Sequence, residues 1–160
     1  MAGMSALLAV QIVALFATGL LAGIFFGDRM GNSYARPKLP AGSFVTFQQI
    51  QNARFARMMP LPILAAGVAS ALWMVLLRKR VDTPDFLLVA AGTLALVICV
   101  GITRAVNIPI NNLVAKWSAS SPPQDVSRIW KRWERVHTAR TAFAVLAFLL
   151  ELLAFGVANR

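Results

Sequence analysis

Cysteine, histidine and acidic side chains are the scarcest functional groups in this chain of 160 residues. It has one cysteine, one histidine and six Asp plus Glu. A lone thiol, Cys99, permits no intrachain disulfide and leaves the redox compartment unread. One His and one Cys cannot build a His-rich zinc or copper centre within one chain, so no metal site is expected. A glycine-rich phosphate loop, a dinucleotide fingerprint and a nucleophile elbow are also missing. Charged residues reach only 14%, where soluble domains carry about 25%. Hydrophobic residues make up 58%, and the mean hydropathy is +0.67. Together these exclude a disordered chain and an ordinary soluble domain. They predict one membrane domain over residues 1–160.

The charge that is present is one-sided. Sixteen Lys and Arg against six acids give +10. In a soluble protein that balance suggests nucleic acid, but the placement speaks against it. Apart from Arg160, the basic residues lie between long apolar runs, where anionic lipid headgroups and topology select them. The partner read here is the bilayer, with no nucleic acid.

Four runs are long enough to cross the hydrocarbon, which takes about 17–25 residues: about 5–27, 59–77, 86–106 and 141–157. Backbone groups taken out of water must satisfy one another, so the runs are helices. The fold class is all-α, an up-down-up-down four-helix membrane bundle. The first run lacks a basic n-region and reads as a retained helix, not a cleaved signal. Gly19, Gly23 and Gly27 recur every fourth residue, the small-residue spacing that lets helix backbones approach closely. Packing inside the bundle is the favoured use, and a homo-oligomer stays open. An even number of spans puts the two long loops on one side. They hold twelve Lys and Arg against four on the other. The positive-inside bias then places the long loops in the cytoplasm, as in a bacterial plasma membrane.

The loops carry more than linker chemistry. In Ser43–Met58, Phe44, Phe47, Gln51, Phe55 and Met58 share one face at helical spacing, which predicts an amphipathic helix on the bundle mouth or in the interface. Pro109, in Asn107-Ile108-Pro109-Ile110-Asn111-Asn112, should end or kink the third helix. Asn107 and Asn111 either satisfy freed backbone groups or turn their amides into a cavity. From Trp130 to Glu151, one continuous helix would bring Trp130, Trp133, His137, Arg140 and Glu151 within an arc of about 80°. Glu134 is close enough along such a helix to pair with His137. Glu151, set inside an apolar span, should face the bundle interior and find its partner on another helix or in water. Arg140 is about 16 Å away along the axis, too far to serve. The competing account is interfacial: belt tryptophans, basic residues at headgroups, and Glu151 as a packing group.

At these residues the chain resembles a known family. The Gly-rich end of the first span, Leu39-Pro40, Phe47-Gln48-x-Ile50 and Met59-Pro60 are similar to the anthrone oxygenase-like family of small four-helix membrane proteins. So are Asn107-x-Pro109-x-Asn111-Asn112, Trp117 and Trp133-x-x-x-His137-x-x-Arg140. The resemblance implies oxidation of a small hydrophobic, polycyclic aromatic substrate by O2 without an organic cofactor. It assigns His137, Arg140 and Asn111 to catalysis, and Asn107, Trp117, Trp130, Trp133 and Gln48 to substrate binding. His137 would be the general base, Arg140 and an asparagine would stabilise the developing oxyanion, and the tryptophans would wall a planar ligand. Two other functions remain open at this point. One is a non-enzymatic accessory protein. The other is an electron-transfer protein binding quinone, or haem through His137 as axial ligand. A metal completed by a second subunit is likewise open.

Overall fold

A computed structural model describes residues 2–159, with side chains described from residue 6. Met1 and Arg160, the latter one of the four basic residues assigned to the short-loop side, lie outside the described residues. Among the described residues all regular structure is helical.

The first rod begins as α1 (Ala2–Gly27). Its buried Ala14, Thr18, Leu21 and Phe25 follow the 4-3-4 spacing that keeps one helix face against a core. That face does not stop at Gly27. The chain runs on through a π-helical turn (Asp28–Asn32), α2 (Ser33–Ala35) and a 3-10 turn (Arg36–Lys38). The same face now carries Asp28, Asn32 and Arg36. Leu39 and Pro40, both extended, end the rod, because a residue before proline is pushed out of the helical region.

The second rod is broken. α3 (Ala41–Met58) and α4 (Pro60–Leu76) meet at a 40° bend. Pro60 and Pro62 lack the N–H groups needed to carry the α3 ladder through, yet suit a first helical turn. The predicted amphipathic helix therefore exists, but it prolongs α4 instead of lying across the bundle mouth. It buries Phe44, Val45 and Gln48, while Phe47 and Met58 of the expected face are exposed.

The third rod comprises α5 (Pro84–Ile102), a π-helical stretch (Thr103–Asn107) and α6 (Ile108–Val114). Pro109 does not end it: Ile108 remains helical, with φ −62° and ψ −48°. The wider π turn immediately before Pro109 relieves the clash its ring would make with a carbonyl one turn back. The fourth rod is one helix, α7 (Val126–Ala158), of 33 residues.

Among the described residues three stretches, Ala6–Lys38, Pro84–Val114 and Val126–Ala158, are long and apolar enough to cross a membrane, and the number is four if the bent α3–α4 pair is counted as one span. A 33-residue helix is about 50 Å long, against about 30 Å of hydrocarbon. The rods therefore reach well past the bilayer core. α1 packs on α4 and α7, and α5 on α7 and α4, closing a ring. Beside α4 the interior is built from small residues, including Ala66, Ala95, Ala144 and Ala147 around Leu21 and Phe25, while Leu61, Leu94 and Leu153 face outward. Of the three spaced glycines only Gly19 is closely packed, since a Cβ there would lie 3.0 Å from the Phe148 ring; at Gly23 and Gly27 nothing lies within 4 Å. Beside α3 the interior changes character and becomes aromatic and polar.

Candidate active site in the head of the bundle

α7 supplies the axis of the site. Its inward stripe reads Val126, Trp130, Trp133, His137, Thr141, Ala144, Ala147, Glu151 and Ala154, all buried. The stripe expected over Trp130–Glu151 is thus one continuous helical face. His137 has 0% exposure and points inward.

One imidazole nitrogen is hydrogen-bonded, and the other lies beside a carboxylate without an aligned hydrogen bond among the described residues. Arg140 Nε donates to His137 Nδ1 at 3.0 Å. His137 Nε2 lies 3.1 Å from Asp28 Oδ2. Since Nδ1 accepts, the hydrogen-bond network assigns the ring hydrogen to Nε2, facing the carboxylate. Trp133 packs tilted against the ring at 4.8 Å and Phe25 meets it edge-on at 6.2 Å. Arg140 lies over the Phe25 ring at 4.4 Å, and its Nη1 is 3.4 Å from Thr103 Oγ1.

Asp28 is itself fixed from three directions. Its Oδ1 accepts from Arg36, from Asn32 Nδ2 at 2.7 Å and from Gln51 Nε2 at 2.7 Å. Arg36, only 1% exposed, bridges to Glu134 Oε1 at 3.1 Å and donates to Gln51 Oε1 at 2.9 Å. Its guanidinium also covers the Trp130 and Trp133 rings at 5.4 and 5.3 Å. A buried arginine needs its charge paired, and two carboxylates from two rods meet that need through Nη1 and Nη2, while Nε has no partner among the described residues. Glu134 does not pair with His137 as its spacing suggested. It accepts from Arg36, Ser33 Oγ (2.6 Å) and Trp130 Nε1 (3.0 Å), and Asp28 takes the place beside the imidazole.

The other expected site residues gather nearby, and not all reach His137. Trp130 and Trp133 stack on each other at 4.3 Å, so the two rings fill the space between them. Asn111 accepts from Trp133 Nε1 at 2.8 Å and is held at the far edge of that stack. Asn107 is fully buried, and among the described residues neither its amide nitrogen nor its oxygen has a hydrogen-bond partner. Gln48 donates to Asn52 at 2.8 Å, leaving its own oxygen unpaired. Trp117 packs on the aromatic cluster from the loop after α6, and Gln49 Nε2 donates to its carbonyl. A buried amide with no partner costs about 1–3 kcal/mol. Asn107 thus carries unspent recognition chemistry one turn from the residue that orients Trp133.

Sequence reasoning missed Asp28, Arg36, Gln51 and the true role of Glu134. A signal existed. Extending the 4-3-4 face of the first helix past Gly27 lands on Asp28 and Asn32, then Arg36, as one stripe.

A family model described as "Anthrone oxygenase" matches residues 47–150, about two-thirds of the chain. The match runs from α3 into α7 and so includes Gln48, Asn107, Asn111, Trp117, the two stacked tryptophans, Glu134, His137 and Arg140. Asp28 and Arg36 lie outside it. Comparison with curated proteins and with solved structures finds no match.

Proposed function

The chain belongs to the anthrone oxygenase family, and on that premise we propose that it is a membrane-embedded oxidase of a small, planar aromatic ketone, with His137 as general base. The observation that carries the reading is the buried line Arg140–His137–Asp28, in which Nδ1 accepts a hydrogen bond and Nε2 faces a fixed carboxylate.

The chemistry needs a base that can take a proton from an activated C–H and later return it. In the resting arrangement Arg140 covers the only lone pair on the imidazole. A substrate oxygen that draws the guanidinium away uncovers Nδ1 and, in the same movement, meets the positive charge needed as that oxygen becomes an enolate. When Nδ1 takes the proton, the imidazolium faces Asp28, whose carboxylate is held by Arg36, Asn32 and Gln51. Asp28 thus positions the ring and balances its charge, much as an acid orients the histidine of a hydrolase triad.

The electrons balance without an outside donor. The benzylic CH2 loses one proton to His137, and O2 adds to the carbanion carbon to give a peroxide. The imidazolium returns its proton to the outer oxygen. Loss of the second C–H proton then breaks the O–O bond, forms the ketone C=O and releases water. The substrate gives four electrons and O2 accepts four, so no organic cofactor is written into the reaction. Asn107 would spend its free amide on a substrate oxygen, and Trp133 would lie along the ring system. The excess of Lys and Arg in the long loops supports a cytoplasmic position for this head in a plasma membrane.

Oxygen uptake by purified protein in lipid, with an anthrone as substrate and the spontaneous rate subtracted, tests the reading. Turnover that His137→Ala abolishes supports it, and uptake no faster than the spontaneous rate refutes it. A Soret band on the purified protein would make the imidazole an axial ligand and overturn the base assignment.

A further inference from the structure

His137 is sealed by protein on every side, so any substrate must arrive through a seam. A groove of about 410 Å³ runs along the outer junction of α1 and α7, walled by Phe26, Arg29, Thr138, Thr141, Ala142 and Leu149 among others. That volume falls within the range of about 300–1,000 Å³ usual for small-molecule sites. The groove is the reverse side of the active cluster. Phe26 and Arg29 face it, while their neighbours Phe25 and Asp28 touch His137 from within. Thr138 and Thr141 flank His137 on α7, and Thr141 Oγ1 donates to the His137 carbonyl at 2.7 Å.

The charge in the groove is also incomplete. Its walls are apolar apart from Arg29 and the two threonines, and no ion pair among the described residues uses Arg29. A guanidinium beside an apolar trough suits a flat ligand with one acidic oxygen. We propose that this groove is a lateral port through which the planar aromatic substrate passes from the bilayer to His137, with Arg29 holding its acidic oxygen at the rim. The proposal rests on the function proposed above and adds a route that the active cluster alone does not reveal.

Two measurements test it, one of them independent of turnover. In proteoliposomes, Ala142→Cys in a Cys99→Ser background is labelled by a membrane-permeant maleimide with and without a hydroxyanthraquinone, a probe of the product class. At probe concentrations about ten times its Kd, labelling should slow about tenfold, and Arg29→Gln should remove most of that protection. Equal protection by oleate would show a site for acyl chains only, and no protection would show no aromatic site; either overturns the port. In the second measurement, Ala142→Trp fills the groove and should raise KM about tenfold while kcat is largely kept. Leu153→Trp, on the lipid face of the same helix, should leave KM at the wild-type value. A KM unmoved by Ala142→Trp overturns the port even where wild-type turnover is normal. If wild-type protein turns over no anthrone, the proposed function fails, and the labelling result still decides whether the groove takes an aromatic ligand.

Discussion

The molecule buries acids in two places and treats them in opposite ways. Beside α4, Glu151 is fully buried, and no ion pair among the described residues includes it. Its oxygens meet only two hydroxyls, Ser70 Oγ at 2.6 Å and Thr18 Oγ1 at 2.9 Å, so three helices share one carboxyl group. In the head, Asp28 and Glu134 are tied to Arg36 and His137 in a network crossing three rods. The first arrangement spends polarity on holding helices together, as expected of a lone polar group among apolar neighbours. The second accumulates charge that a well-packed apolar core would replace without loss of stability. Its presence is explained by chemistry more readily than by folding.

The largest way to sharpen that contrast is to remove a member of the charged network. Asp28→Ala strands Arg36 and His137, and should lower the unfolding free energy by about 3–5 kcal/mol in detergent denaturation, as for other broken buried pairs. Turnover should be lost with it. His137→Ala should slow oxygen uptake at least about 100-fold, with a helical circular-dichroism signal like the wild type. A drop of only a few-fold would remove the imidazole from the chemistry.

Asn107→Leu separates folding from function. Replacing an unpartnered amide with an apolar group of similar size should stabilise the protein by about 1–3 kcal/mol, while KM rises. Equal stability would mean that the amide already has a partner in the resting protein. At the other acid, Glu151→Gln keeps the shape and both hydroxyl contacts, and should cost under about 1 kcal/mol with turnover intact. A loss as large as that of Asp28→Ala would erase the distinction between the two sites.

A pair of glycines tests the packing around Glu151 itself. Gly92→Ala would place a Cβ 3.2 Å from the Ala147 carbonyl and from Glu151 Cγ, and should cost about 1–3 kcal/mol. Gly23→Ala meets open space and should be neutral or slightly stabilising, since alanine favours helix by up to about 1 kcal/mol. Thermal unfolding of the pair in one detergent reads both.

Much of the fold was legible because lipid leaves few choices. Apolar runs longer than about 17 residues must become helices, and the inward turn of Glu151 follows from the cost of exposing it to hydrocarbon. The stripe of tryptophans and His137 was readable as well, since the 3.6-residue period places them on one face. Of the two outcomes expected at Pro109, an end or a kink, the end does not occur, because a π turn in the preceding residues, which no single position announces, lets the helix continue. The helix over Ser43–Met58 was found, but its direction and buried face depend on the bend at Met59. Asp28 lies one position past the apolar run that ends at residue 27, and Arg36 is one of the twelve cations counted in the long loops.

What the residues determined unaided is the set of rods and which side of each turns inward, because burial of apolar surface and backbone hydrogen bonding act locally and periodically. Only the packed structure decided which charges meet. Asp28 and His137 are more than a hundred positions apart, and a pairing between two helices depends on their relative rotation and on where two π turns shift the register. Those are collective properties of the assembled bundle, written in no single segment.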